Sequence, residues 1–343
     1  MKKLFVTIIV ILMLFVFWWS LGKLFQTLNN PIQGRKIQQY SGPVEEVIVG
    51  KQVEYGTLFV VAKEQKFFEE NGLDVAIIEY ESGAPAFSDM LNGKIDMTNA
   101  AEFVGVRNSF SGEDFKMLGS IGTTTNAWEI VVRSDHGISN ASDLRGKKIA
   151  VPRKTLGEFF LGNFLTLNKL SFSDLQLVDL TPAALIDAFI NGDVDAVMIF
   201  EPHAFGLKER MGSNAIGWPG QSGRPNYIGL FANSEFVKKH PSIVKRFVRS
   251  LVQAEEFLAD DNTEIERVMK NTFHYSDSYI SSVTPKFKFY FSLEQPMLLL
   301  MEDEARWVID NNLTSSSTVP NYLDFIYFDA LEEVNPDAIN IIR

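Results

Sequence analysis

Two acidic residues, Glu102 and Glu201, follow the same preamble in different parts of the chain. Leu91-Asn92-Gly93-Lys94-Ile95-Asp96-Met97-Thr98-Asn99-Ala100 leads to the first, and Ile190-Asn191-Gly192-Asp193-Val194-Asp195-Ala196-Val197-Met198-Ile199-Phe200 leads to the second. Asn, Asp and Glu recur from 92 to 191, from 96 to 195 and from 102 to 201, each time a step of 99 positions. Each stretch reads as a helix end, an Asn-Gly turn, a short buried strand and an acid just past that strand. A carboxylate in that place can receive the amine of a small ligand. Each acid also opens a predicted helix, where the dipole favours a carboxylate whatever the function.

The other residues at predicted strand ends are polar, aromatic or small, as the linings of small-molecule sites are. They are Glu54 and Tyr55, Thr98 and Asn99, Asn126 and Trp128, the run Lys154-Thr155-Leu156-Gly157, and Tyr227. Thr155 precedes a helix, so it either caps that helix or joins the exposed amides around it in holding an anion. Trp128 serves either as a stacking platform over a ligand or as packing within a hinge.

Several chemistries are excluded. His136, His203, His240 and His274 are scattered without metal-ligand spacing, and no Gly-x-Ser-x-Gly elbow, Gly-x-Gly-x-x-Gly fingerprint or P-loop occurs. There is no Cys, which removes disulfides, thiolate metal sites, a cysteine nucleophile and a lipid anchor on cysteine. With 32 basic against 43 acidic residues the net charge is −11, so no nucleic-acid partner is expected. The reading predicts a binding protein with no cofactor, acting as a monomer on a small molecule.

The elements around these residues repeat as well. Strand-like runs at 44–49 and 148–152 are followed by helical runs at 57–71 and 156–170, then by second strands at 74–80 and 174–177. Downstream of each acid comes another apolar strand, at 127–134 and 227–234. The chain therefore reads as two doubly wound α/β halves joined by two crossover strands, with a cleft beyond the carboxyl ends of their strands. From 235 onward the pattern turns helical, with runs ending near 258, 271, 284 and 311, and residues 314–343 carry no assignable pattern. The expected boundaries are a first lobe at 44–131 and 229–343 and a second at 132–228.

The N-terminus indicates a compartment. Lys2-Lys3 precede eighteen residues, 4–21, in which only Thr7 and Ser20 are polar, closing on Trp18-Trp19. Such a run spans a bilayer with the remainder outside the cytoplasm. The reading is an uncleaved inner-membrane anchor over 1–28 and a polar linker over 29–43; the alternative is a signal segment cleaved for secretion.

From about Val47 to Asp260 the sequence resembles the substrate-binding proteins of nitrate/sulfonate/taurine ABC transporters, a group that includes NMT1/THI5-like members. The residues that carry the resemblance are Ala62-Lys63-Glu64-Gln65-Lys66-Phe67-Phe68-Glu69-Glu70-Asn71-Gly72-Leu73-Asp74-Val75, Leu91-Asn92-Gly93-Lys94-Ile95-Asp96, Asp143-Leu144-Arg145-Gly146-Lys147-Lys148-Ile149-Ala150-Val151, Asn191-Gly192-Asp193-Val194-Asp195-Ala196 with Glu201-Pro202, and Asn233-Ser234-Glu235-Phe236. The resemblance implies a two-lobed, type II periplasmic-binding-protein fold. Such a protein closes on a sulfonate-like, taurine-like or pyrimidine-like solute and hands it to a permease served by an ATPase. It also implies that the strand-end residues named above face the ligand. The enzymes of the group rely on a Cys-rich motif and an active-site His with no counterpart here. A ligand sensor for a membrane signalling partner is the alternative to a transporter subunit.

Overall fold

The computed structural model describes residues 40–343 apart from positions 261 and 262. The expected membrane segment and most of the linker lie outside the described residues. Among the described residues no helix is long and apolar enough to cross a membrane.

The segment Gly42–Arg343 is one compact unit containing two sheets. In chain order the strands are β1 (Glu45–Gln52), β2 (Leu73–Tyr80), β3 (Met97–Ala101), β4 (Phe115–Thr124), β5 (Trp128–Arg133), β6 (Lys148–Ala150), β7 (Gln176–Val178), β8 (Ala196–Phe200), β9 (Ala215–Pro219), β10 (Asn226–Asn233) and β11 (Phe287–Ser292). The first sheet is ordered β11-β4-β10-β3-β1-β2 and the second β7-β6-β8-β5-β9. Apart from β11, the two match place for place. In each, the first strand lies parallel to its two neighbours, and the fourth place is filled by a strand that follows the other half in sequence. That strand, β10 or β5, runs antiparallel to both of its partners.

The repeated residues do the same work in both halves. The Asp96 carboxylate accepts the Ile48 amide at 2.8 Å, and the Asp195 carboxylate accepts the Lys148 amide at 2.9 Å, so each acid pins its third strand to the first. Gly93 and Gly192, with φ of 69° and 82°, supply the left-handed turn after the preceding helix.

Elsewhere the structure departs from expectation. β5 and β10 each belong wholly to one sheet, so the crossings lie at 125–127 and 220–225 and not at the expected boundaries of 131/132 and 228/229, which would cut both strands. The helical run at 57–71 is two helices, Thr57–Glu64 and Phe67–Glu70, separated where Lys66 turns left-handed with φ 63°. That turn sends Phe68 inward to stack on Phe247 at 5.1 Å. β9 pairs with the free edge of β5, and β11 occupies part of the region expected to be helical. The unassigned tail straps the six-stranded sheet: Ile326 bridges to Met117, Tyr322 is fully buried, and the helix Asp329–Val334 carries buried Ala330 and Leu331.

Candidate functional site

The helix Leu156–Leu167 starts at the carboxyl end of β6, and no side chain caps its N-terminus. The Thr155 hydroxyl instead donates to the Pro152 carbonyl at 2.6 Å. Trp128, the first residue of β5, lies against this helix start. A Cβ built on Gly157 would come within 2.7 Å of the Trp128 Cζ3, so glycine there is what admits the indole. Phe200, opposite Trp128 on β8, and Phe160 complete the indole's surroundings at 5.0 and 6.0 Å between centroids. Trp128 is only 8% exposed, and its Nε1 donor has no partner among the described residues. A buried indole N–H without an acceptor is costly, and uncapped amides at a helix start favour negative charge. Together they form an anion-receptive corner beside an aromatic wall.

Buried polar atoms of the other sheet that have no partner among the described residues include the Asn99 amide nitrogen on β3 and the Thr124 hydroxyl at the end of β4. The Asn99 side-chain oxygen is engaged, accepting the Gln52 amide at 2.9 Å.

The remaining expected residues are placed differently. Thr98 is buried, and its hydroxyl donates within the sheet, to the Gly50 carbonyl at 3.1 Å. Asn126 is exposed and left-handed, with φ 59°, in the first crossing. Lys154 is exposed with φ 61°, and its amide donates to the Glu158 carboxylate at 2.5 Å. Leu156 is buried in the first turn of its helix. Tyr55 is buried with its ring edge-on to Phe287 at 5.4 Å. Tyr227 is buried and donates to Glu294 at 3.3 Å; burial first, then the Glu294 charge, pushes its hydroxyl up from the ordinary range. Glu54 lies in the 3-10 turn Val53–Gly56, and its side chain lies outside what is described.

Glu201 is fully buried, and its carboxylate is already occupied. One oxygen accepts the Phe205 amide at 2.8 Å, opening the helix His203–Met211, and the other meets the Lys286 ammonium at 2.8 Å. Lys286 also reaches Glu129 at 2.9 Å, whose second oxygen is 2.5 Å from Lys208. Burial pushes the Glu129 carboxyl up, and the two ammoniums outweigh it and leave it below its ordinary value. Burial likewise raises Glu201, which Lys286 only partly offsets.

Its repeat mate Glu102 pairs with no cation among the described residues. One oxygen accepts from the Asn226 side chain at 2.6 Å, the other has no partner, and burial raises its pKa to about 8. Glu304, on the helix Gln295–Asp310, is equally buried with both oxygens unpartnered, and burial followed by the nearby Glu102 pushes it well up. This is a neutral acid pair inside the first lobe, because an unpaired buried carboxylate is too costly to remain charged.

Sequence reasoning missed Lys286 and Gln221. Gln221 is fully buried and ties the two crossings together. Its carbonyl accepts the Ala127 and Trp128 amides at 2.5 and 3.1 Å, and its amide donates to the Thr124 and Arg224 carbonyls at 3.1 and 3.0 Å. Its place in a Gly/Pro-rich segment gave no signal that set it apart from Ser222 and Arg224.

The family model described as NMT1/THI5 like matches residues 53–265, more than half of the chain. A Bacillus subtilis (strain 168) protein named as aliphatic sulfonates-binding is 29% identical over 249 residues, 67% of this chain and 74% of its own length. The taurine-binding periplasmic protein of Escherichia coli (strain K12) is 27% identical over 204 residues, 57% of this chain and 61% of its own. Among solved structures, the alkanesulfonate-binding protein SsuA from Xanthomonas axonopodis pv. citri bound to MOPS matches with a TM-score of 0.70 at 18% identity, covering 84% of this chain and 100% of that one. The desulfurization enzyme DszB also shares the fold, with a TM-score of 0.64 at 16% identity over 85% of this chain and 99% of that one. Fold likeness at this distance carries no activity with it. The matched span takes in both repeated stretches and both crossings, and the chain belongs to the NMT1/THI5-like family.

Proposed function

We infer that the chain is an extracytoplasmic solute-binding protein that captures a small sulfonate between its two lobes and delivers it to an ABC-transporter permease. The observation that carries this reading is the uncapped start of Leu156–Leu167 beside the unpartnered Trp128 indole N–H. A sulfonate offers three acceptor oxygens on a permanently charged group, which suits amide and indole donors and needs no counter-cation. Its organic part would lie along Trp128, Phe160 and Phe200, with Asn99 and Thr124 closing from the other lobe. The names of the curated relatives support the same solute class.

Delivery needs a difference between empty and filled protein. Donors from both lobes meet the ligand only when the lobes are together, so ligand binding favours the closed arrangement by its differential affinity. Gln221 holds the two crossings as one hinge. The apolar run at 4–21 would keep the protein tethered at the outer face of the membrane, next to its permease.

A thermal-shift series with alkanesulfonates, taurine, nitrate, aminopyrimidines and aromatic acids tests the reading. A ligand present at about a hundred times its dissociation constant adds about 2.7 kcal/mol, so a sulfonate should raise the melting temperature clearly. A response confined to the pyrimidines, or none at all from cooperatively melting protein, would refute the sulfonate assignment.

A further inference from the structure

β8 ends at Phe200, and the helix His203–Met211 begins three residues later, at the carboxyl end of the strand. Trp128 and Phe200 stand opposite one another on β5 and β8 and share a sheet face, with ring centroids 5.0 Å apart. The His203 imidazole meets the Phe200 ring edge-on at 5.2 Å and so extends that cluster. Glu201, one residue past Phe200, follows the alternation of the opposite face, where Lys286 joins it to Glu129 and Lys208 in turn pairs with Glu129. The charge that acts on the imidazole comes instead from Glu81 of the first lobe. Glu81 stands just past β2, at the carboxyl end of the edge strand of its sheet. His203 therefore lies where the strand ends of the two lobes face each other.

The Nε2 atom of His203 is buried and has no partner among the described residues. Burial lowers the pKa of the imidazole, an effect that Glu81 offsets only in part, so the ring is neutral near about pH 7 in the empty protein. The same aromatic cluster thus carries two buried nitrogens with nothing to bond, Trp128 Nε1 and His203 Nε2. Leaving such atoms unsatisfied is costly, and an anion with several acceptor oxygens relieves the cost at both. A protonated imidazole donates from each of its nitrogens, and a permanent negative charge beside it favours that form.

We propose that His203 is a further donor to the sulfonate, alongside Trp128 and the amides at the start of Leu156–Leu167, and that binding is accompanied by uptake of one proton from solvent onto this imidazole. This rests on the sulfonate reading above and adds to it a binding residue and a proton linkage. The sign follows from the charges. The bound sulfonate holds the proton that the empty site releases, so affinity rises as pH falls through the interval between the free and bound values.

The test is calorimetry of the purified protein with ethanesulfonate in two buffers of different ionisation heat, repeated from about pH 8 to about pH 6. A sulfonate does not titrate in this range, so a proton taken up enters the protein. The wild type should take up close to one proton, and its dissociation constant should fall by about tenfold over the range. His203→Gln keeps an amide donor without a titrating group, and in it the uptake should vanish and the dissociation constant become independent of pH. Glu102→Gln removes another group that titrates near neutrality and should keep the uptake. Binding heats that do not depend on the buffer in the wild type overturn the proposal, and this result needs no variant to fold. Undiminished uptake in His203→Gln overturns it as well, as does uptake lost in Glu102→Gln, which would assign the proton to the first-lobe acid. Absence of binding to any sulfonate overturns the reading beneath it.

Discussion

At the scale of single residues, Glu102 and Glu201 show how one sequence pattern acquires two chemistries. Both stand just past a central strand and both are fully buried, yet Glu201 has an ammonium within 2.8 Å and Glu102 has an amide donor and a second acid. Stability should therefore depend on pH through Glu102. Its folded value is raised from 4.5 to about 8, chiefly by burial, so between those values the folded chain holds a proton that the unfolded chain has released. The stabilisation is complete below the unfolded value and is lost as pH rises through the folded one, with Glu304 acting in the same direction. Glu102→Gln, neutral at every pH, should raise the melting temperature relative to wild type near about pH 9 and change it little near about pH 5. Parallel wild-type and variant profiles across that range would contradict the neutral-acid account. The positions of both acids were legible because a repeat fixes where a strand ends. Their partners were not, since Lys286 and Asn226 come from distant parts of the chain and only the assembled fold brings them near.

At the scale of elements, one side chain, Gln221, links the two crossings between the sheets. Gln221→Leu keeps the volume and removes four hydrogen bonds, leaving the Ala127 and Trp128 amides and the Thr124 and Arg224 carbonyls to find other partners. The expected loss is on the order of 3 kcal/mol in denaturant unfolding, because buried backbone groups left unpaired cost their full desolvation. An unchanged midpoint would mean that the crossings are fixed by something else. Elements with local signals were readable: the Asn-Gly helix stops, the two crossover strands, and the long helix beginning at Pro241. β11 was missed although Phe287, Phe289 and Phe291 alternate, because the surrounding helical runs set the expectation. The break at Lys66 was hidden for another reason. A left-handed lysine has no sequence signature, and it is imposed by the packing of Phe68 on Phe247. The tail lacks any single periodicity because it straps a finished surface, with Tyr322 and Ile326 each fitted to a different part of the first lobe.

At the scale of the whole molecule, two sheets of matching strand order face one another, and the lobes touch through ring pairs and ion pairs. Phe159 of the second lobe lies 5.5 Å from Trp307 and 6.0 Å from Phe103 of the first, and Phe205 meets Tyr279 at 5.3 Å. Together with Lys286 these contacts join the two lobes. The two-lobed plan was evident from the repeat. The depth of contact between the lobes was not, because it depends on side chains whose partners lie across the cleft. The measurement that tests the central claim most directly is a calorimetric titration of the purified protein with an alkanesulfonate, read alongside tryptophan fluorescence, for wild type and Gly157→Ala. The added methyl would sit 2.7 Å from Trp128 Cζ3 and force the indole away from the helix start. The account predicts saturable one-to-one binding with a fluorescence change in the wild type, and clearly weaker binding in a variant that still melts cooperatively. Absence of saturation in folded wild-type protein, or equal affinity in the two proteins, would contradict a sulfonate site built on Trp128 and the start of Leu156–Leu167.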